Sequence, residues 1–295
     1  MRFETRYVAC NLCGSEDASV LWKKNGFRYV KCRVCGLVFV NPQLEEFEIK
    51  RIYSILYPNK SENKARPLDV INYSPVLNWA EAYRCEGRFL DVGCFRGYLL
   101  SAARHLGWDA FGTEISAAAC AYGRSELGLN IFHGQLTEAG YPDNYFDVAV
   151  LFDVIEHLSD PILYLYEIFR LLRPGGGLYL FTPNFNSLTC RFFGKDWSVF
   201  FPWHQYYFSP RTLDEMIRRA GLKAKKIRCF GIGPVSRRNA YEEIHTLKIP
   251  ASNVSKAMTK IKTDFSLLRK AYFLMQSSHH VPYGSKITAL AEKPF

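Results

Sequence analysis

Two Cys-x-x-Cys pairs, Cys10/Cys13 and Cys32/Cys35, bracket 18 residues in CNLCGSEDASVLWKKNGFRYVKCRVCG. Four thiolates at this spacing suit a tetrahedral zinc ion, and such a closed site is structural because no coordination position stays open. Disulfides are the other reading, and a cytosolic setting argues against them. A second grouping is acidic. Asp91 ends the apolar run FLDV ahead of the glycine turn GCFRG, and Glu114 follows 23 residues later in GTEIS. A third is Asp153, Glu156 and His157 in DVIEHLSDP, at i, i+3 and i+4, near one face of a helical turn and suited to moving a proton. Acids that complement a helix start, beside a packed histidine, are the alternative there. The fourth is His204 in DWSVFFPWHQYYFS, with Trp197, Phe200, Phe201, Trp203, Tyr206, Tyr207 and Phe208 around it in sequence. It is either a general base walled off from water or a histidine fixed in a hydrophobic cluster.

The elements that must position these groups are legible from periodicity. Arg88 to Val92 reads as a strand, and GYLLSAARHLG as a helix ended by Gly107. WDAFGTEIS, FDVAVLF and LYLFTP read as further strands, and PILYLYEIFRLLRPGGG as a helix closed by Pro174 and the glycines. This alternation predicts a largely parallel sheet, with the glycine turn at its carboxyl edge, where ligands collect. Near the N-terminus, VLWKKNGFRYVKC predicts two strands joined at Asn25-Gly26. NPQLEEFEIKRIYSILYP predicts a helix, NKSENKARP a linker or lid, and residues 75–84 another helix.

Glu114, at the end of the second strand, can accept both hydroxyls of a ribose, which points to an adenosine-containing ligand. A dinucleotide fingerprint needs three glycines, and here only Gly93 and Gly97 are present. Asp91 is also wrong for a pyrophosphate, but it suits a ligand with an ammonium and a sulfonium. S-adenosylmethionine carries both.

In order, DVGCFRG, GTEIS, YPDNYFDVAVLFDVIEHLSDP and LLRPGGGLYLFTPN resemble the class I S-adenosylmethionine-dependent methyltransferases, whose first motif has the form DxGxGxG. The ribbon with GLVFVNP, the segment PWHQYYFSPRTLDEMIRRAGL and the terminal SKITALAEKP resemble a bacterial subgroup of sugar, O-antigen and secondary-metabolite pathways. The resemblance implies an α/β fold, a doubly wound, seven-stranded, mostly parallel sheet with a small N-terminal zinc ribbon. It implies a ribbon at 1–42, a helical linker or lid at 43–87, and a methyltransferase domain at 88–295 with a helical insertion at about 230–285. Cofactor contacts are implied for Asp91, Gly93, Cys94, Gly97, Glu114, Gln135, Leu136 and Asp153, and catalytic roles fall to His204, His157 and Glu156. Phe95 stands at the family's middle glycine, and Gln135 where an aspartate often meets the adenine amine. The Asp153, Glu156 and His157 stretch resembles quinone-pathway O-methyltransferases, which implies magnesium as one reading of that trio.

Charge adds a clue about partners. Residues 1–90 hold 14 basic and 10 acidic side chains, 91–183 hold 5 and 11, and 184–295 hold 19 and 7. A basic C-terminal third attracts an acidic partner or simply aids solubility. The expected acceptor is a small molecule, acidic or sugar-linked, methylated at a hydroxyl. An RNA base gripped by the ribbon is the second hypothesis, and a non-catalytic scaffold with a degenerate cofactor site the third. No apolar run reaches the roughly 18 residues of a membrane span, and the start lacks a signal-peptide pattern, so a cytoplasmic protein is expected. Val254 to Met275 predicts a helix whose apolar stripe packs on the domain or a second subunit, the route to a homo-oligomer, or lies on a membrane surface.

Overall fold

The computed structural model describes residues 3–56, 73–231 and 283–295. The expected insertion helix at 254–275 and the linker NKSENKARP lie outside the described residues. Packing divides the chain into two compact units: residues 1–56, 183–212 and 228–287 form one, and 57–182, 213–227 and 288–295 the other.

The first unit is built on the cysteine ribbon. After a short β1 (Thr5–Arg6), β2 (Ala18–Lys24) and β3 (Phe27–Cys32) pair antiparallel. Their turn is Asn25 and Gly26, both left-handed at φ 53° and 82°, which matches the twist of a tight hairpin. β4 (Val38–Val40) joins β3, β5 (Gln43–Leu44) pairs with β1, and α1 (Glu46–Leu56) follows. A hairpin of this size buries too little apolar surface to stand alone. Residues from beyond position 183 complete it. α6 (Leu188–Phe193) leads to β11 (Tyr206–Tyr207), which pairs with β4 to give the strand order β11-β4-β3-β2. Trp197, Phe200, Phe201, Trp203 and Tyr207 are buried in one core with Tyr29, Val38 and Val40. Of the two readings of the aromatic run, pocket wall or hydrophobic cluster, the packing of these residues gives the cluster, in the core of the ribbon's own unit. Residues 183–212, within the span 88–295 expected for the methyltransferase domain, go by packing with the ribbon.

The second unit begins with α2 (Ser74–Glu81) and a strand-helix alternation: β6 (Arg88–Val92), α3 (Tyr98–His105), β7 (Asp109–Glu114), α4 (Ala117–Ser125) and β8 (Asn130–His133). β9 (Phe146–Phe152), α5 (Pro161–Leu171) and β10 (Leu172–Pro183) continue it, and α7 (Pro210–Arg219), β12 (Lys223–Phe230) and β13 (Lys286–Glu292) follow. The seven-stranded sheet has the order β12-β13-β10-β9-β6-β7-β8, with parallel pairing from β10 through β8. β9 is buried along nearly its whole length, as a central parallel strand with both faces covered must be. Ser116 and Asp160 cap α4 and α5 through their side-chain oxygens, and Pro161 occupies the first turn of α5. One boundary differs from expectation: α5 stops at Leu171, because Leu172 already pairs with Phe146, and the glycines fall where the β10 register shifts.

Candidate cofactor site

From β6 the chain winds outward through β7 and β8, then returns to the other side of β6 as β9. The carboxyl ends of β6 and β9 therefore flank the point where strand order reverses, the crevice in which such sheets bind ligands. The two loops at this point touch. A β-carbon on Gly93 would lie 2.6 Å from a Val154 methyl, so only glycine lets the β6 turn come this close.

The turn uses up its own amides. Gly93 and Cys94 donate to the Thr113 carbonyl at 2.8 and 3.0 Å, Phe95 to Glu114 Oε2 at 2.9 Å, and Gly97 to the Cys94 carbonyl at 2.8 Å. Little is left to cradle a pyrophosphate, which agrees with the missing third glycine. The Cys94 thiol is buried in the core with Leu100.

The site's electrostatics come from two carboxylates. Asp91 is buried on β6, opposite Gly112 of β7 and Val150 of β9, and accepts no hydrogen bond from a described residue. Burial, and then the charge of Glu114, push its carboxyl well above the usual carboxylate range. Glu114 is buried at the end of β7 and is also pushed up by burial, against the pull of the amides around it. Ser116 N–H donates to its Oε1 at 2.7 Å and Phe95 N–H to its Oε2. A carboxylate offers about four acceptor positions, and the amides of Ser116, Phe95 and Ile115 leave at least one open. Two like charges buried together are stabilised by a bound cation, and an ammonium or sulfonium supplies one.

Gln135 and Leu136 follow β8. The Gln135 side-chain oxygen accepts the Tyr164 hydroxyl at 2.9 Å, while the Glu138 N–H donates to the Gln135 backbone carbonyl at 3.1 Å and the Gln135 N–H to Glu138 Oε2 at 2.7 Å. The Tyr164 bond occupies one lone pair of the Gln135 side-chain oxygen. Leu136 is fully buried beside it.

The third grouping follows β9. Asp153 is left-handed at φ 52°, and residues Ile155–His157 form a 3-10 turn rather than an α-helical one. Glu156 is buried and accepts the Thr182 hydroxyl at 2.9 Å, while His157 is half-buried. Among the described residues, only the four ribbon cysteines bring three or more such ligand atoms within 4.8 Å of one another. Asp153, Glu156 and His157 are not among such groups, so the described geometry lends magnesium no support. Thr182 escaped the sequence reading, although a lone polar residue at the carboxyl end of the apolar strand LYLFTP was the available signal.

A family model described as a methyltransferase domain matches residues 55–226, more than half of the chain. The chain belongs to this family. A relative from Mycolicibacterium smegmatis named as an S-adenosylmethionine-dependent methyltransferase is 34% identical over 146 residues, 49% of this chain and 55% of that one. A ubiquinone biosynthesis O-methyltransferase of Cereibacter sphaeroides is 30% identical over 162 residues, 50% of this chain and 65% of that one. The chain thus spans little more than half to just under two thirds of these curated relatives. Among solved structures, a chain from the complex of the Haloferax volcanii Trm112 methyltransferase activator with a methyltransferase aligns with a TM-score of 0.51 at 20% identity, covering 76% of this chain and 91% of that one. The cyclase SpnF aligns with a TM-score of 0.52 at 18% identity, covering 83% and 95%. These likenesses show the fold, and a cyclase among them shows that the fold alone does not fix the chemistry.

In the methyltransferase-family chain the ribbon site is a separate centre. Cys10 Sγ lies 3.4 Å from Cys35 Sγ and Cys13 Sγ 3.5 Å from Cys32 Sγ, and all nine cysteines are free thiols. Zinc–sulfur bonds of about 2.3 Å at tetrahedral angles put sulfurs about 3.8 Å apart, so the set fits that ion. Burial raises the Cys32 thiol, but amides of Cys35 and Val34 donating to its sulfur bring it down to about 7. His204 belongs to this unit. It is half-buried, with its ring edge-on to Phe201 at 5.4 Å.

No helix among the described residues is long and apolar enough to cross a membrane.

Proposed function

We propose that the protein transfers a methyl group from S-adenosylmethionine to a hydroxyl of a small acceptor, a sugar, nucleotide-linked sugar or related metabolite. The observation that carries this reading is the buried Asp91 and Glu114 pair at the strand-order reversal, beside a turn whose Gly93, Cys94, Phe95 and Gly97 amides are already bonded within the protein. Asp91 faces the cationic end of the cofactor, Glu114 takes the ribose hydroxyls, and Gly93, Cys94 and Gly97 supply close backbone. Gln135 and Leu136 border the adenine, whose amine edge the Gln135 side-chain amide can bond. Asp153 forms the β9 rim.

Bound there, the cofactor supplies an electrophilic methyl on sulfur. What the chain must add is an aligned acceptor about 3 to 3.5 Å from the methyl and a base for its proton. His157, at the carboxyl end of β9, and His204 are the bases we propose, with buried Glu156 and Thr182 holding the shape of the β9 and β10 ends. The relatives' names support oxygen as the methylated atom, and the basic C-terminal third supports an acidic acceptor. The ribbon, residues 1–42, holds a structural zinc ion; elemental analysis should find one zinc per chain, and Cys32→Ser should lose it.

The test is S-adenosylmethionine labelled on its methyl, offered separately to a small-metabolite extract and to total RNA. Label in a small acidic metabolite supports the proposal, and label in RNA replaces it with base methylation. Binding without transfer to either would return the chain to the scaffold hypothesis.

A further inference from the structure

Four non-glycine residues among those described have a left-handed backbone: Asn25, Phe95, Asn144 and Asp153. Asparagine and aspartate tolerate this because their short polar side chains bond locally, whereas phenylalanine gains no such relief. Phe95 sits at φ 50° between Gly93 and Gly97, held by its amide's bond to Glu114 Oε2. It is 38% exposed, with the Arg96 guanidinium 5.6 Å from its ring centre. A glycine would take this backbone without strain and would leave no apolar ring in water. Both costs fall on the side chain, and strain of this kind persists where the site uses it.

We propose that Phe95 is a cofactor-covering residue, whose ring buries against the ribose end of the bound cofactor that Glu114 holds. The inference rests on the cofactor reading above. The residue's amide and the proposed ribose contact share one carboxylate, so the ring is anchored at the rim of that subsite. The apolar surface it exposes without ligand is surface it covers with ligand.

The experiment compares wild type, Phe95→Gly and Phe95→Ala by calorimetric titration with S-adenosylmethionine and by thermal melting. Phe95→Gly relieves the backbone and removes the ring, so its melting temperature should rise by a few degrees while its Kd weakens about tenfold. Phe95→Ala keeps a β-carbon in the left-handed region, so it should weaken binding to a similar extent with no gain in melting temperature. Glycine-variant binding as tight as wild type, or a fall in its melting temperature, overturns the proposal. If wild type itself binds no S-adenosylmethionine, the cofactor reading falls and takes this inference with it.

Discussion

The two ends of the central sheet treat a buried aspartate in opposite ways. At the amino end of β9, Asp147 is fully buried and meets four donors: Arg173 Nε at 2.6 Å and the amides of Cys85, Gly87 and Arg88 at 3.1, 2.6 and 3.2 Å. Burial alone would raise its pKa, but the Arg173 guanidinium and these amides hold it below the usual carboxylate range. At the carboxyl end of β6, Asp91 is as deeply placed, yet its strongest electrostatic neighbour is another acid, and its pKa is raised. A satisfied buried acid ties the fold together. One left facing a like charge reserves its field for something the protein binds.

The comparison can be broken by mutation. Asp147→Ala strands the Arg173 charge and three amides, and should cost about 3 to 5 kcal/mol of stability in denaturant unfolding, while the folded fraction keeps its cofactor affinity. Asp91→Asn should do the reverse, weakening S-adenosylmethionine binding about 30-fold or more without lowering the melting temperature. Equal effects of the two substitutions on both readouts would remove the distinction.

Acidity sharpens it. Asp91 and Glu114 have folded pKa values above their unfolded ones, so their contribution to stability is present below about pH 4 and lost as pH rises through the raised values. Asp147 is depressed, so its contribution is present above about pH 4 and lost as pH falls. Melting curves of ligand-free protein should therefore show Asp91→Asn gaining on wild type as pH rises from about 5 to about 8. The smallest expected effect is that of Glu114→Gln, which keeps one oxygen for the Phe95 amide. It should weaken cofactor binding about tenfold, and less for an analogue lacking one ribose hydroxyl.

Much of this contrast was legible in the sequence. The strand Arg88–Val92 and its glycine turn are local patterns, and the 23-residue step to Glu114 reports one strand-helix-strand unit. What escaped was long-range pairing. Nothing in YY at 206–207 announces a fourth strand for a ribbon more than 160 residues earlier, and its aromatic neighbours read equally well as pocket wall or core. At Gln135, residue type shows what an amide can bond, but not that the Tyr164 hydroxyl donates to its oxygen. Asp147 drew no attention because its partners come from positions 85 to 88 and 173, which only the fold assembles.

The central claim is that Asp91, beside Glu114, faces the cofactor's positive charge, and proton counting tests it most directly. Calorimetric titration of S-adenosylmethionine in two buffers of different ionisation enthalpy, from about pH 5 to about pH 7, measures the protons exchanged on binding. The account predicts binding with proton release that shrinks as pH rises, because the free protein is then already ionised, and predicts that Asp91→Asn abolishes the release. No binding, or binding with the same proton exchange in wild type and variant, would contradict it.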